Sequence, residues 1–303
     1  MTHLLSLFAN NILPIFLAAG TGYLLTKYKN IYPRTVSQIA FYILSPCLVF
    51  TLLTSNQINA QEAIRVVGCT VAVVISVGLL VWVTGRLIGL SKRTLAAVLI
   101  TAMFCNAGNY GLSVTLFAFG ESALTYASLV FVTTAALTYS LGVIIASMGA
   151  TSLKTALVGL FKVPPLYAIL AAMVVIAFDL ELPLLLDRTV ELLSSAAIPV
   201  LMVLLGIQLY HAKWNGDFRS LLLSNSMRLV AAPLLAVGFA VLFGLYGTAR
   251  QAMITEAAMP TAVVTTVLAI EYDVDPSFVT SAVFSSTLLS PITLTPILAL
   301  LGA

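Results

Sequence analysis

Charge is what this chain has least of. Only 8% of its 303 residues are Asp, Glu, Lys or Arg, against roughly a quarter in a soluble domain. Apolar residues make up 60%, and the mean hydropathy is +1.08. Lipid rather than a soluble core covers such a chain, so an all-α integral membrane protein of the cell (cytoplasmic or inner) membrane is expected. The net charge of +3 is spread over short loops and offers nucleic acid no basic patch. Histidine is almost missing: His3 and His211 are the whole supply, and neither is placed for catalysis or metal binding. Phosphate-loop and zinc-protease motifs are absent, and no nucleophile–base pair is evident. The chain therefore reads as a non-enzyme with no cofactor and no resident metal, and ATP-driven transport would need a separate subunit. Cys47, Cys69 and Cys105 lie in apolar runs at unrelated spacings and read as small buried residues. Long polar linkers are also lacking, which leaves no room for a soluble domain. The first apolar run is too long for a signal-peptide core and lacks a basic lead, so it reads as a membrane span.

What is present is a series of apolar runs, each near the ~20 residues that cross hydrocarbon. Ten spans are expected: Leu4–Thr26, Thr35–Thr54, Ile64–Ile88, Leu95–Phe119, Ala123–Met148, Val163–Phe178, Thr189–Tyr210, Leu221–Tyr246, Ala252–Ile270 and Phe278–Leu301. Ten of the 14 basic residues fall in the loops after spans one, three, five and seven: Lys27, Lys29, Arg34, Arg86, Lys92, Arg93, Lys154, Lys162, Lys213 and Arg219. Cytoplasmic loops are enriched in Lys and Arg, so this bias puts both termini outside. The loop with Glu271, Asp273 and Asp275 belongs to the same side yet has no basic residue.

Laid side by side, the two halves repeat. Arg34-Thr35-Val36 opens span two with Pro46 beyond it, and Arg188-Thr189-Val190 opens span seven with Pro199 beyond it. Arg65-Val66-Val67 begins span three, and Arg228-Leu229-Val230 lies in span eight. Span four is interrupted at Asn106–Gly111 and span nine at Ala257-Ala258-Met259-Pro260. A five-span unit crosses an odd number of times, so residues 1–153 and 154–303 form two inverted repeats. Inverted repeats with paired broken helices are a transporter architecture.

The two breaks carry the chemistry. Asn106 lies about 18 Å into span four at the helical rise, and Pro260 about 15 Å into span nine, both near the middle of the bilayer. Pro260 removes a backbone donor, and Gly108 and Gly111 permit backbone angles that other residues resist. Half-helix N-termini would favour an anion, and C-terminal carbonyls a cation. Ordinary membrane-helix kinks are the plainer alternative. Glu256, one turn before Pro260, is a carboxylate at a depth where it costs several kcal/mol unless paired or protonated (about 2.5–3.5 on insertion scales). It is either a proton- or Na⁺-coupling group or a structural carboxylate. Arg228 has three readings: a partner for Glu256, a counter-charge for an anionic substrate, or a side chain snorkelling to the edge. Thr261, Thr265 and Thr266 follow the second break and either bond substrate or bond their own helix.

Asn106-Ala107-Gly108-Asn109-Tyr110-Gly111-Leu112-Ser113, followed by Phe119-Gly120-Glu121, resembles the fourth-span motif of the auxin efflux carrier family. Glu256-Ala257-Ala258-Met259-Pro260-Thr261-Ala262, then Leu268–Tyr272, and the tail Ser286–Ser290 resemble that family too. The family holds the plant PIN proteins and bacterial carriers of malate- or malonate-like anions. The resemblance implies ten spans in two inverted five-helix repeats, crossed discontinuous helices four and nine, a scaffold and a transport domain, and distant kinship to bile acid–sodium symporters. It also implies that Asn106 faces a substrate carboxylate and that Pro260 is the crossover proline. Two residues depart from the pattern: Ser113 stands where proline is frequent, and Glu256 stands where the plant carriers tend to have an uncharged polar residue. The long cytoplasmic loop of the plant proteins is missing, which points to a bacterial or archaeal carrier.

The expected function is secondary transport of a small organic anion, a mono- or dicarboxylate, by alternating access at the crossover. Asn106, Asn109, Gly108, Gly111, Pro260 and Thr261 would form the substrate site, with Glu256 carrying H⁺ or Na⁺. Partners would be the anion, the bilayer and, as an open alternative, a second copy of the chain. Two other classes remain at this stage: a Na⁺-coupled symporter of a larger amphipathic acid, and a non-transporting sensor or channel.

Overall fold

The computed structural model describes residues 2–55, 58–147, 161, 163–211 and 217–303. Among them the chain is helical, with no strand and one isolated antiparallel bridge between Cys105 and Thr261. The helices are α1 (Leu4–Tyr28), α2 (Pro33–Ser55), α3 (Ala60–Leu87), α4 (Lys92–Met103), α5 (Ala107–Ala146) and α6 (Pro164–Ala177). Then follow α7 (Leu184–His211), α8 (Phe218–Leu242), α9 (Gly247–Ala257), α10 (Val264–Glu271) and α11 (Pro276–Leu301). Seven of them, α1, α2, α3, α5, α7, α8 and α11, are long and apolar enough to cross a membrane. The protein is an all-α integral membrane protein. Residues 148–160 and 162, with the expected repeat boundary, Lys154, Lys162 and the end of span five at Met148, lie outside the described residues, as does Lys213.

Both expected interruptions are present, displaced from where composition put them. Helix α4 stops at Met103; Phe104, Cys105 and Asn106 are non-helical, and the chain is coiled again from Ala107. Gly108 and Gly111 therefore open the second half-helix and are not in the gap. Gly111 has helical angles, φ −63° and ψ −48°, and neither glycine has a positive φ. What they supply is room: a Cβ on Gly108 would lie 2.8 Å from the Phe131 ring. The glycine with the conformational role is Gly120 (φ 77°, ψ −171°), which divides α5 into 107–119 and 121–146 at an angle closed to most other residues. The second gap runs over 258–263, because Pro260 cannot extend α9 and disfavours helix just before itself. Helices α4 and α9 have 12 and 11 residues, so the two leading half-helices are nearly equal in length.

Proline also shapes the longer helices. Widened turns of the π type cover Phe8–Ile12, Ala40–Leu44 and Met227–Ala231, and each ends two residues before a proline: Pro14, Pro46 and Pro233. The proline ring collides with the carbonyl a turn earlier, and the extra residue in the turn relieves it. Asn59, Ser91, Asp217 and Asp275 cap the starts of α3, α4, α8 and α11 by accepting a backbone N–H.

Packing does not follow the order of the chain. Helices α1, α2, α6 and α7 pack on one another, and α3, α4, α5, α8, α9 and α11 form a second group. In the first group α1 and α7 meet backbone to backbone. A Cβ on Gly206 would lie 1.6 Å from the Ala19 carbonyl oxygen, and one on Gly22 would lie 2.1 Å from that of Val203. Small residues allow this approach in lipid, where dispersion contacts replace a hydrophobic drive. Sidedness is visible in the loop contacts. At one end Arg93 binds Asp273 (2.7 Å), and His211 Nε2 is 3.3 Å from the Ile31 carbonyl. At the other, Tyr126 donates to Glu62 (2.6 Å) and Gln251 to the Leu301 carbonyl (2.9 Å). The acidic 271–275 loop thus lies against a basic one.

Candidate functional site

The two gaps bind each other. Asn106 N–H donates to the Pro260 carbonyl at 2.7 Å, and Ala262 N–H donates to the Phe104 carbonyl at 2.9 Å. These bonds satisfy backbone groups that lipid would leave orphaned. Thr261 strengthens the junction: its hydroxyl donates to the Thr101 carbonyl (2.8 Å), and its N–H donates to Ser286 Oγ (3.1 Å). Thr261 is fully buried, and its hydroxyl is committed to this junction. Thr265 and Thr266 bond the carbonyls of Ala262 and Val263, just ahead of the helix they sit on.

A cavity of about 800 Å³ lies on one side of the junction. Its inner wall holds Cys105, Asn106, Ala107, Gly108 and Asn109 with Ala262, Val263 and Val264. Ser45, Leu201, Leu204 and Gln208 face them from α2 and α7, and Arg34, His211 and Glu271 stand at the far end. The first turns of α5 and α10 thus border the cavity with the positive ends of their helix dipoles; at α10 the Thr265 and Thr266 N–H groups donate to the Ala262 and Val263 carbonyls (3.1 and 3.0 Å). Three side-chain polar atoms along its lining are buried without a hydrogen-bond partner: Asn106 Nδ2, Ser45 Oγ and Thr134 Oγ1. Asn109 differs from Asn106, because its Nδ2 donates to Gln208 Oε1 at 2.9 Å. Gln208 did not stand out in the sequence, although a lone amide ending the apolar run 198–207 was a usable signal.

Glu256, Gly111, Pro260 and Thr261 do not line the cavity. They form the far side of the junction, so the predicted site residues meet at one place but face two ways. Glu256 is fully buried; Oε1 accepts from Thr115 at 3.2 Å, and Oε2 has no partner. It can sit there because Gly111 has no side chain: a Cβ would lie 2.1 Å from Oε2.

Arg228 corrects its expected readings. It is buried, makes no ion pair with Glu256, does not line the cavity and does not reach the membrane edge. Its guanidinium donates to the carbonyls of Ala102 (3.0 Å) and Met103 (3.1 Å) at the end of α4, and to that of Ala257 at the end of α9. One side chain therefore caps the C-termini of both half-helices. The polarity of the junction is sorted: positive helix ends turn to the cavity, and negative ends turn to Arg228.

The profile described as membrane transport protein matches residues 7–298. The chain is 28% identical over 264 residues to an uncharacterised transporter of Methanothermobacter thermautotrophicus, covering 86% of each. It is 24% identical over 269 residues to an uncharacterised transporter of Methanocaldococcus jannaschii, covering 86% of this chain and 87% of that one. A shorter stretch of 126 residues, 41% of this chain and 20% of the other, is 28% identical to auxin efflux carrier component 3a of Oryza sativa subsp. japonica. With a transporter-family match over nearly its whole length and two interrupted helices joined at their gaps, the chain belongs to the auxin efflux carrier family of membrane transport proteins, a family of carriers rather than enzymes.

Proposed function

We propose that the protein is a secondary transporter of a small organic anion, working by alternating access around the junction of its two interrupted helices. The observation that carries this reading is the sorted polarity: the N-terminal ends of two half-helices and the unpartnered Asn106 Nδ2 border one cavity, with both negative helix ends turned away from it. In this reading α4 with 107–119 and α9 with α10 are spans four and nine of ten. The two sets of five form inverted repeats whose broken members cross. The carboxylate lies against Asn106, Gly108 and Asn109, while Gly111, Pro260 and Thr261 hold the half-helices in place. Glu256, with one oxygen unpartnered, takes up and releases the coupling ion, a proton or Na⁺. The cavity reaches the end marked by Arg34 and His211, which the basic loops assign to the cytoplasm, so the conformation is inward-open with both chain termini outside.

Replacing Asn106 with Ala tests the site. In proteoliposomes the variant should insert normally and lose uptake and counterflow of carboxylates; normal counterflow would remove the assignment. The size of the cavity favours a second reading of the substrate. About 800 Å³ lined by Phe41, Phe131, Val267 and Ile270 has room for a larger amphipathic acid.

A further inference from the structure

Carbonyls at the ends of interrupted helices are, in transporters of this general build, what gathers a coupling cation. Here that place is filled. The last carbonyls of α4 (Ala102, Met103) and of α9 (Ala257) all accept from one guanidinium. Each helix end carries about half a negative charge, so the two together amount to about one, which a single fixed cation balances. Arg228 reaches them from α8, where the widened turn Met227–Ala231 holds it, and it is 2% exposed. No carboxylate pairs with it among the described residues: the ion pair there is Arg93 with Asp273, at the protein edge. A buried guanidinium without a carboxylate partner is costly unless it answers another negative charge. The converging helix ends are that charge. Arginine also suits the task better than lysine, because its planar fork reaches several carbonyls at once and holds its proton.

We propose that Arg228 is a tethered cation standing where the half-helix carbonyls would otherwise collect sodium, so that the junction is held together without any sodium ion. The consequence for transport rests on the anion reading above: the positive helix ends keep their affinity for the anion in sodium-free medium, and a sodium-coupled symport through this junction is ruled out. Coupling, where it operates, then falls to a proton on Glu256. Arg228 is a positioning residue in this scheme, since it touches neither cavity nor substrate.

The test reads sodium itself and needs no identified substrate. Purified full-length protein in detergent is melted in sodium chloride and in choline chloride of equal ionic strength, as wild type, Arg228→Met and Arg228→Lys. The wild type should melt at the same temperature in both salts. Arg228→Met should melt several degrees lower in choline chloride and regain most of that loss saturably as sodium is added, while Arg228→Lys stays indifferent to sodium. A purely packing role would lower the melting temperature of Arg228→Met equally in both salts, and that result overturns the proposal. Saturable stabilisation of the wild type by sodium overturns it as well, and can be read even where Arg228→Met fails to fold. Neither result touches the assignment of Asn106, which the counterflow experiment decides separately.

Discussion

Alanine at Gly111 would put a methyl carbon 2.1 Å from Glu256 Oε2, a distance at which one of the two must move. The carboxyl is fully buried and has the Thr115 hydroxyl as its one hydrogen bond, so it has little freedom to retreat. Gly111→Ala is expected to cost about 1–3 kcal/mol by overpacking. It should also blunt the response of uptake to an imposed pH gradient. Glu256→Gln keeps the shape, so it should leave the melting temperature nearly unchanged and abolish the same response. Uptake measured with and without a pH gradient across the liposome checks both variants, and an unchanged response in Glu256→Gln would remove the coupling role. At this scale the sequence singles out residues that do gather at the junction, though they do other things there than their residue types suggest. Two glycines in an apolar run stand out whatever their purpose, but Gly111 makes room for Glu256, far away along the chain, and Gly108 makes room for Phe131. Arg228 is equally conspicuous, yet its partners are backbone carbonyls, and no residue type announces a free carbonyl.

Among the elements, α1 and α7 are joined most closely, through Gly22 and Gly206. Valine at Gly206 would push the Ala19 backbone out of contact, and no side-chain rotation relieves a clash with a carbonyl. Overpacking of this kind costs about 1–3 kcal/mol or more. A fall of several degrees in melting temperature is expected, with carboxylate binding at the α5–α10 junction retained once the protein is cooled. Most of the helices were legible from apolar runs of membrane length, and the gaps from Asn, Gly and Pro inside such runs. Their edges were less so. Caps at Ser91 and the start of α9 at Gly247 lie in polar or mixed sequence, outside the apolar stretches, so the half-helices begin earlier than hydropathy indicates. Phe104 and Cys105 are non-helical although nothing in their chemistry requires it; they are straightened by pairing with Thr261 and Ala262 across the gap.

For the whole molecule, the cavity lies where the α1–α2–α6–α7 group faces the group that contains the junction. If its mouth is at the cytoplasmic end, cysteine placed at Gln38 or Thr138, in a background with Cys47, Cys69 and Cys105 replaced by Ala, should react with a membrane-impermeant maleimide from that side. Carboxylate at saturating concentration should slow labelling at Thr138, the deeper position, more than at Gln38. Labelling from the opposite side alone would reverse the assigned orientation. The expected division into residues 1–153 and 154–303 does not foresee these groups, because each draws helices from both halves of the chain.

The junction itself has a mechanical consequence. Backbone bonds between Asn106 and Pro260 and between Ala262 and Phe104, with three more from one guanidinium, make the inner wall a single piece. Under the proposed alternating access, a site built on such a piece would be carried rather than taken apart, and opening toward the other face would require sliding at its border with α2 and α7. The amide pair Asn109–Gln208 crosses that border. In the proposed transport cycle it would serve as a latch, released when a substrate carboxylate competes for the Asn109 amide.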